Sequence, residues 1–467
     1  MPRGLLRPGP LRKRGFDCGG EKAKSLGYSI GITANAIDLR RKVKRHRSKM
    51  EDRISSLPSN IIGIILMDLP LKDAVRTSIL SSKWRSEWST IPQLVFDKHT
   101  FQLPTHYTLS EIVNQVLLLH SGPIEKFMFD EYAFSGSFAT VDRWLVFLSR
   151  NGLKELILKF SPNRLYQLPT SLFNCQALTF LELQDCEFFL PCVSKGFDRL
   201  ITLVLKDVTI TDEYFESLIS SCPLLKRLVF SDFYGCTHLK VNAPNLKELF
   251  VTGFFEDICL ENTPSLVTLS VGLEDGEDED HENEDDFEDE VVQNGEYHNF
   301  KRSLSGVLKI EKLELQTNMF EFLAKGSMLE RLPTYNYLSK LNLSMVNFKD
   351  LRHNLMICCF IRSSPFLRDL EIEADSDDSM AIIPAESFCN GNGYSDFRFN
   401  NLRTVKMIEI CGEKPELEFL KFVLANAPVL ETLNIRVVPD RHEDARIFKE
   451  IMRFRRASAQ AEIICLD

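Results

Sequence analysis

No two cysteines of this 467-residue chain stand as a CxxC pair, although twelve are present. Finger-type metal sites and dithiol redox motifs both rest on that spacing. The adjacent Cys358 and Cys359 cannot grip one ion in finger geometry either. Scattered free thiols point to a reducing compartment instead. No apolar run approaches the ~18 residues needed to span a bilayer, and the charged N-terminus lacks the apolar core of a secretory signal. The expectation is a soluble intracellular protein of the nucleus, the cytoplasm or both, without membrane contact. Also missing are the phosphate loop GxxxxGK[ST], the dinucleotide GxGxxG, and the hydrolase motifs HExxH and GxSxG. The nine His are dispersed, and a lone one such as His238 reads as a satisfied or exposed side chain. Glu371 and Glu373 lie two apart on one face of an expected strand. Acid–base work would need their pKa values pushed apart in a closed site, so they read as a solvated surface. Neither catalysis, nor a cofactor, nor a metal site is expected.

What is present is apolar mass and unevenly spread charge. Hydrophobic residues make up 44% of the chain and Phe alone occurs 34 times. Such a length and content suit several units or a repeat array rather than one compact domain. The net charge of −10 hides two extremes: residues 1–50 carry 14 Lys/Arg against 3 Asp/Glu, and residues 274–290 carry 13 Asp/Glu with no Lys or Arg. An acidic chain with one basic tail is a poor general binder of nucleic acid. Residues 1–50 are expected to be a disordered basic tail. Arg40 to Arg47 could serve as a nuclear-import signal, as a plain solvated tail, or within an arginine-rich transit peptide. Met50, just ahead of the first ordered-looking segment, is a further place where translation could begin. Residues 274–296 are expected to be a disordered acidic insert. They lack calcium-loop ligand spacing, since Gly276 is not at the sixth position of a matching loop.

Between Asp52 and Ile91 the pattern turns helical. Ile61, Ile62, Ile65 and Leu66 recur at helical spacing after Leu57-Pro58-Ser59. Asp68-Leu69-Pro70 ends that helix, because a proline disfavours helix in the residue before it. A second helix is expected from Leu71 or Lys72 to Leu80. Ser81-Ser82 can cap a third that carries Trp84 and Trp88 four apart. Three short helices in about 40 residues bury too little to stand alone, which invites a partner.

From Ile124 onward one motif, LxxLxL with other apolar residues allowed, returns a dozen times. It starts at Ile124, Leu153, Leu178, Leu200, Leu225, Leu246, Leu266, Ile310, Leu338, Leu367, Leu402 and Leu430. Random clustering gives isolated matches, not a series in register. Alternation places the last two apolar positions of each motif on one face of a short strand. Helices such as Thr211–Cys222 and Phe348–Arg362 are expected between strands. Stacked strand–helix units form a solenoid whose parallel strands line one wall. Residues flanking the inward positions should form that wall: Glu155, Lys159, Phe180, Glu182, Phe250, Lys312, Glu314, Asp369, Glu371, Lys406 and Arg436. Phe180 and Phe250 are large apolar residues that the core does not require. They are either anchors for a bound protein or are covered by a neighbouring loop or by the C-terminal region.

The run Asp52 to Ile62, then Leu69-Pro70-Leu71-Lys72-Asp73-Ala74-Val75-Arg76-Thr77-Ser78, then Leu80 to Arg85, resembles a plant F-box over about 40 residues. In that family the motif docks on a Skp-type adaptor and through it on a cullin scaffold. By position the resemblance implies adaptor contacts at Leu57, Pro58, Ile61, Ile65, Leu69, Pro70, Ala74, Val75 and Trp84. The C-terminal segments Pro415–Leu424, Asn426–Glu431 and Phe448–Ile464 resemble the FBD domain of plant F-box/leucine-rich-repeat proteins. The layout that follows has a tail (1–50), an F-box (51–92), leucine-rich repeats (93–394), and an FBD region with the last repeat and a helix-plus-strand cap (395–467). The fold class is α/β: an irregular leucine-rich-repeat solenoid, a curved parallel sheet with outer helices, behind a small three-helix F-box. The repeat consensus wants Asn or Cys eight residues after the first Leu. Only Cys186 and Asn318 fit, against Ser161, Val208, Phe233 and Val346, so an asparagine ladder is not expected. The resemblance implies a non-catalytic substrate adaptor of a Skp-cullin-F-box ubiquitin ligase, holding an unknown protein target on its repeats. A repeat receptor for a small ligand, or a scaffold outside degradation, is the alternative.

Overall fold

The structure is a computed structural model describing residues 54, 56–97, 101, 108–131, 136–188, 197–274, 298–317, 319, 323, 332–375, 398–438 and 444–466. The expected basic tail, and the acidic insert beyond Glu274, lie outside these residues. The chain forms two compact units, residues 1–153 and 154–467.

In the first unit, prolines start the helices. Pro58 precedes α1 (Ser59–Met67) and Pro70 precedes α2 (Leu71–Arg76). Each proline is extended, has no N–H to waste, and offers its carbonyl to the first helical N–H groups: Ile61 and Ile62 on Pro58, Asp73 and Ala74 on Pro70. The second helix ends earlier than expected, tightening into a 3-10 turn at Thr77–Ile79. The third, α3 (Trp84–Glu87), runs into a further 3-10 turn at Trp88–Thr90, and the Ser81 hydroxyl accepts from the Trp84 N–H at 3.4 Å. Next come β1 (Gln93–Asp97), α4 (Leu109–Leu119), β2 (Lys126–Asp130) and α5 (Phe138–Leu148). β1 and β2 pair in parallel, and their inward Phe96, Phe127 and Phe129 cluster with Trp144 of α5. The Trp144 indole donates to Asn114 on α4 at 2.8 Å. Gly122 is required where the chain crosses the third helical segment, since a Cβ there would lie 2.8 Å from Thr90 Cα. The LxxLxL strand beginning at Ile124 thus packs within the first unit.

The second unit is built on β3 (Glu155–Lys159), β4 (Tyr166–Gln167), β5 (Phe180–Glu187), β6 (Thr202–Thr209), α6 (Asp212–Ser220), β7 (Arg227–Ser231), β8 (His238–Asn242), β9 (Glu248–Gly253), β10 (Asp257–Glu261) and β11 (Thr268–Leu273). It continues with α7 (His298–Gly306), β12 (Lys312–Thr317), β13 (Lys340–Val346), α8 (Leu351–Ser363), β14 (Asp369–Ala374), β15 (Thr404–Ile410), α9 (Lys414–Asn426), β16 (Thr432–Val437), α10 (Asp444–Ile451) and β17 (Glu462–Cys465). The main sheet is parallel and runs β3-β5-β6-β7-β9-β11-β12-β13-β14-β15-β16-β17, with β4 added beside β5. This is the long parallel sheet of a leucine-rich-repeat solenoid, in a mixed α/β chain. The first apolar residue of every motif is buried, from Leu153 to Leu430. Register is kept motif to motif, as in Leu181↔Leu203↔Leu228↔Leu249↔Leu269.

Two devices hold the repeats. Cys186, Val208, Phe233 and Val346, eight residues into their motifs, are buried apolar side chains where an asparagine ladder would stand. Phe233 stacks on Phe230 with ring centres 3.8 Å apart. One residue before that position the backbone is left-handed at Asp185, Asp207, Asp232, Met345 and Glu409. That conformation is costly for most side chains and best tolerated by Asp, Asn and Gly. Asparagine appears instead just ahead of two motifs, where Asn245 and Asn401 donate to the carbonyls of Pro223 and Pro365 in the preceding repeat, both at 2.9 Å.

Between β7 and β11 a two-stranded sheet, β8 with β10, carries α6 and α7. At the C-terminal end, Glu416 is buried at the start of α9 and accepts from the N–H groups of Cys411 and Glu413, at 3.1 and 2.9 Å. Gly412, with φ 74°, leaves room for Ile447 of α10. The expected closing helix and strand are α10 and β17.

Candidate functional site

The outer face of α1 is the least satisfied surface of the first unit. Six of its nine residues are Ile, Leu or Met, yet only Ile62 and Leu66, four apart, turn into the core. Ile61, Ile64, Ile65 and Met67 stay exposed, as do Leu69, Ile79 and Leu80 in the segments that follow. A helix apolar all round belongs in an interior, so this arrangement suits coverage by another chain. Of the expected adaptor contacts, Pro58, Ile61, Ile65, Leu69 and Pro70 are exposed and Leu57 is half-buried. Ala74, Val75 and Trp84 differ from expectation, being buried in the unit's own core. The physical reason is shape: α2 turns Leu71, Ala74 and Val75 inward, and the Trp84 indole donates to the Ile54 carbonyl at 3.0 Å. They support the surface from beneath. Ile64, outside the expected set, is marked by the same helical spacing, three residues after Ile61.

On the sheet of the second unit, Glu155, Lys159, Phe180, Glu182, Phe250, Lys312, Glu314, Asp369, Glu371, Lys406 and Arg436 all face away from the core, and none is buried. The charges among them are largely paired with each other. Lys159 meets Glu182 at 2.9 Å, Lys312 meets Glu314 at 2.7 Å, Lys406 meets Glu371 at 2.7 Å, and Arg436 meets Glu409 at 3.0 Å. Arg227, absent from the expected set, pairs with Glu248 while its guanidinium lies 4.6 Å from the centre of the Phe250 ring. One register row carries Ile157, Glu182, Val204, Val229 and Phe250 across adjacent strands. Ile157 and Val204 of this row are buried, so the apolar surface it adds beside Phe250 is Val229.

The described cysteines carry no disulfide. Burial pushes the Cys175 thiol up to about 12 and that of Cys222 to about 11, which keeps both protonated at neutral pH. Among the described residues no three His, Cys, Asp or Glu side chains gather to hold a metal ion. No helix among them is long and apolar enough to cross a membrane.

These surfaces have counterparts in known proteins. Residues 54–94 match the F-box domain, 141–372 match the repeats of FBD-associated F-box protein At5g56370, and 399–435 match FBD. F-box/FBD/LRR-repeat protein At1g13570 of Arabidopsis thaliana is 38% identical over 423 residues, spanning 89% of this chain and 99% of that protein. FBD-associated F-box protein At5g22730 of the same plant is 28% identical over 462 residues, 89% of this chain and 94% of its own. F-box/LRR-repeat protein At3g26922 is 32% identical over 252 residues, 47% and 82%. The chain belongs to the plant F-box/FBD/leucine-rich-repeat family.

Proposed function

We propose that this chain is the non-catalytic, target-choosing subunit of a Skp-cullin-F-box ubiquitin ligase, acting in the nucleus or cytoplasm. The observation that carries this reading is the exposed apolar face of α1, continued by Leu69 and Pro70, on a domain of the F-box type. F-box domains in general bind Skp-type adaptors. The mechanism is proximity. One unit holds the ligase while the repeat sheet holds a protein target near the charged conjugating enzyme, which raises effective concentration without any catalytic residue here. The wall aromatics Phe180 and Phe250 are the part of the wall that supports target capture best, since burying apolar and aromatic surface dominates interface energy. A small acidic ligand finds less support, because the wall cations Lys159, Lys312, Lys406 and Arg436 are already paired.

The test is co-purification of the full chain with a plant Skp-type adaptor and cullin, then ubiquitylation of captured proteins in a reconstituted ligase. Adaptor capture that depends on Ile64 and Leu69 is the expected result. Failure to capture the adaptor would overturn the reading.

A further inference from the structure

The turns that lead into β13 to β17 are built alike. Lys340, Asp369, Thr404, Thr432 and Glu462 stand in one register row across those strands. Just ahead of that row the backbone links each turn to the one before. The Arg368 N–H donates to the Ser339 carbonyl at 2.9 Å, Arg403 to Arg368 at 2.8 Å, and Glu431 to Arg403 at 2.8 Å. Three residues ahead of the strands stand Tyr337, Phe366, Asn401, Val429 and Ala459. They lie side by side along the N-terminal rim of the sheet, about 4.8 Å per strand. Tyr337 is 60% exposed, Phe366 53% and Val429 43%. Core packing does not ask for them, since Leu338, Leu367 and Leu430, one position later, are the buried residues. The same step is polar in the three repeats before, at Asn245, Ser265 and Lys309. A single exposed apolar residue needs no account, but a row in register does.

Beyond Val429 the row loses bulk. Ser458 and Ala459 are small, and a cavity of about 450 Å³ opens there, with Arg403, Val429 and Glu431 also in its lining. Its polar groups are already engaged: the buried Ser458 hydroxyl donates to the Leu430 carbonyl at 2.7 Å, and Arg403 pairs with Glu431 at 2.9 Å. The space left therefore suits an apolar side chain. Arg368, one strand before Arg403, is exposed, and its guanidinium has no ion pair or hydrogen bond among the described residues. Arginine's planar fork matches a carboxylate, and aromatic residues with arginine are the side chains that anchor interfaces. We propose that this rim is a docking site for an extended segment of a partner protein. The segment places a large apolar side chain in the cavity beside Val429 and a carboxylate on Arg368, and its continuation covers Phe366 and Tyr337. Cavity and guanidinium stand about two strands, or about 10 Å, apart, which an extended chain spans in about three residues. None of these residues belongs to the adaptor face or to the wall set, so the ligase reading does not depend on this one.

The test uses the full chain and an array of twelve-residue Gly/Ser peptides, each carrying one Phe and one Asp at separations of one to five residues. Bound sequences are then measured in solution by fluorescein anisotropy. Peptides with Phe and Asp about three apart should bind best. A459F, which fills the cavity, and F366S should each weaken them at least tenfold. R368E should lose the Phe/Asp peptide and gain its Phe/Lys counterpart, an exchange that a merely structural arginine would not give. These positions are exposed, so all three variants should melt with the native chain. F254S removes an aromatic exposed elsewhere on the repeats and should bind as before. No binding by the native chain, or equal binding by native and A459F, would overturn the proposal. Binding that emerges only when residues 379–393 are replaced by a Gly/Ser linker would assign the rim to the chain's own connection and overturn it too.

Discussion

Replacing Ile64 by Ser and Leu69 by Ala tests the α1 face most directly. Ile64 is 53% and Leu69 37% exposed, whereas Ile62 and Leu66 on the opposite side are fully buried. Fully burying such a side chain is worth about 1.5–3 kcal/mol, so covering the exposed half of each contributes roughly 1 kcal/mol. The pair together then loses about 2 kcal/mol, a fall of about 30-fold in adaptor affinity. Central positions that exclude water raise this further. Stability should barely change, since these atoms meet water in the free chain. Ile62→Ala inverts the pattern: it should lower stability by about 2–5 kcal/mol through the cavity it leaves. Calorimetric titration with a Skp-type adaptor, paired with thermal melts, reads both quantities. Adaptor affinity of I64S/L69A within threefold of native, with an unchanged melt, would refute the assignment of this face.

Three further outcomes are expected. Phe180→Ser with Phe250→Ser should reduce target capture at least fivefold and leave adaptor affinity unchanged, as measured by quantitative pull-down. Asp185→Asn should stabilise the repeat unit by about 1–2 kcal/mol at pH 7. The sign follows from the raised carboxyl: between its ordinary value and about 6 the folded state binds more protons than the unfolded one. Stability therefore falls as pH rises through that window, and the benefit of Asn should vanish in melts near pH 4. Glu416→Ala should cost about 1–3 kcal/mol in denaturant titrations, because the N–H groups of Cys411 and Glu413 lose a buried acceptor.

The repeat strands were legible because each motif buries three apolar residues, and all twelve motif starts lie before strands. β1 escaped notice although Ile91, Leu94 and Phe96 follow the same spacing and are buried, because Pro92 inside the motif masks it. The sheet of β8 and β10 was not legible. Its pattern, as in Leu239, Val241 and Ile258, is simple alternation without the motif. The left-handed Asp row was invisible for another reason. Nothing in a lone Asp distinguishes a turn residue from a surface charge until register aligns it with its neighbours. At the F-box, composition announced a partner surface. Which apolar residues face outward was set by the turn of α2 and the Trp84 hydrogen bond, neither of which spacing alone determines.

The pairing of β11 with β12 bears on how such chains diversify. Thr268 still faces Lys312, and Leu273 still faces Thr317, although Leu266 and Ile310 are separated by 44 residues where Leu246 and Leu266 are separated by 20. Strand order and register are therefore kept across a connection more than twice the usual length, since added chain length costs little closure entropy per residue. A reporter or an unrelated binding module inserted there would leave both flanking repeats in place. A lineage could acquire a new accessory segment at that point in one step, without renegotiating the sheet.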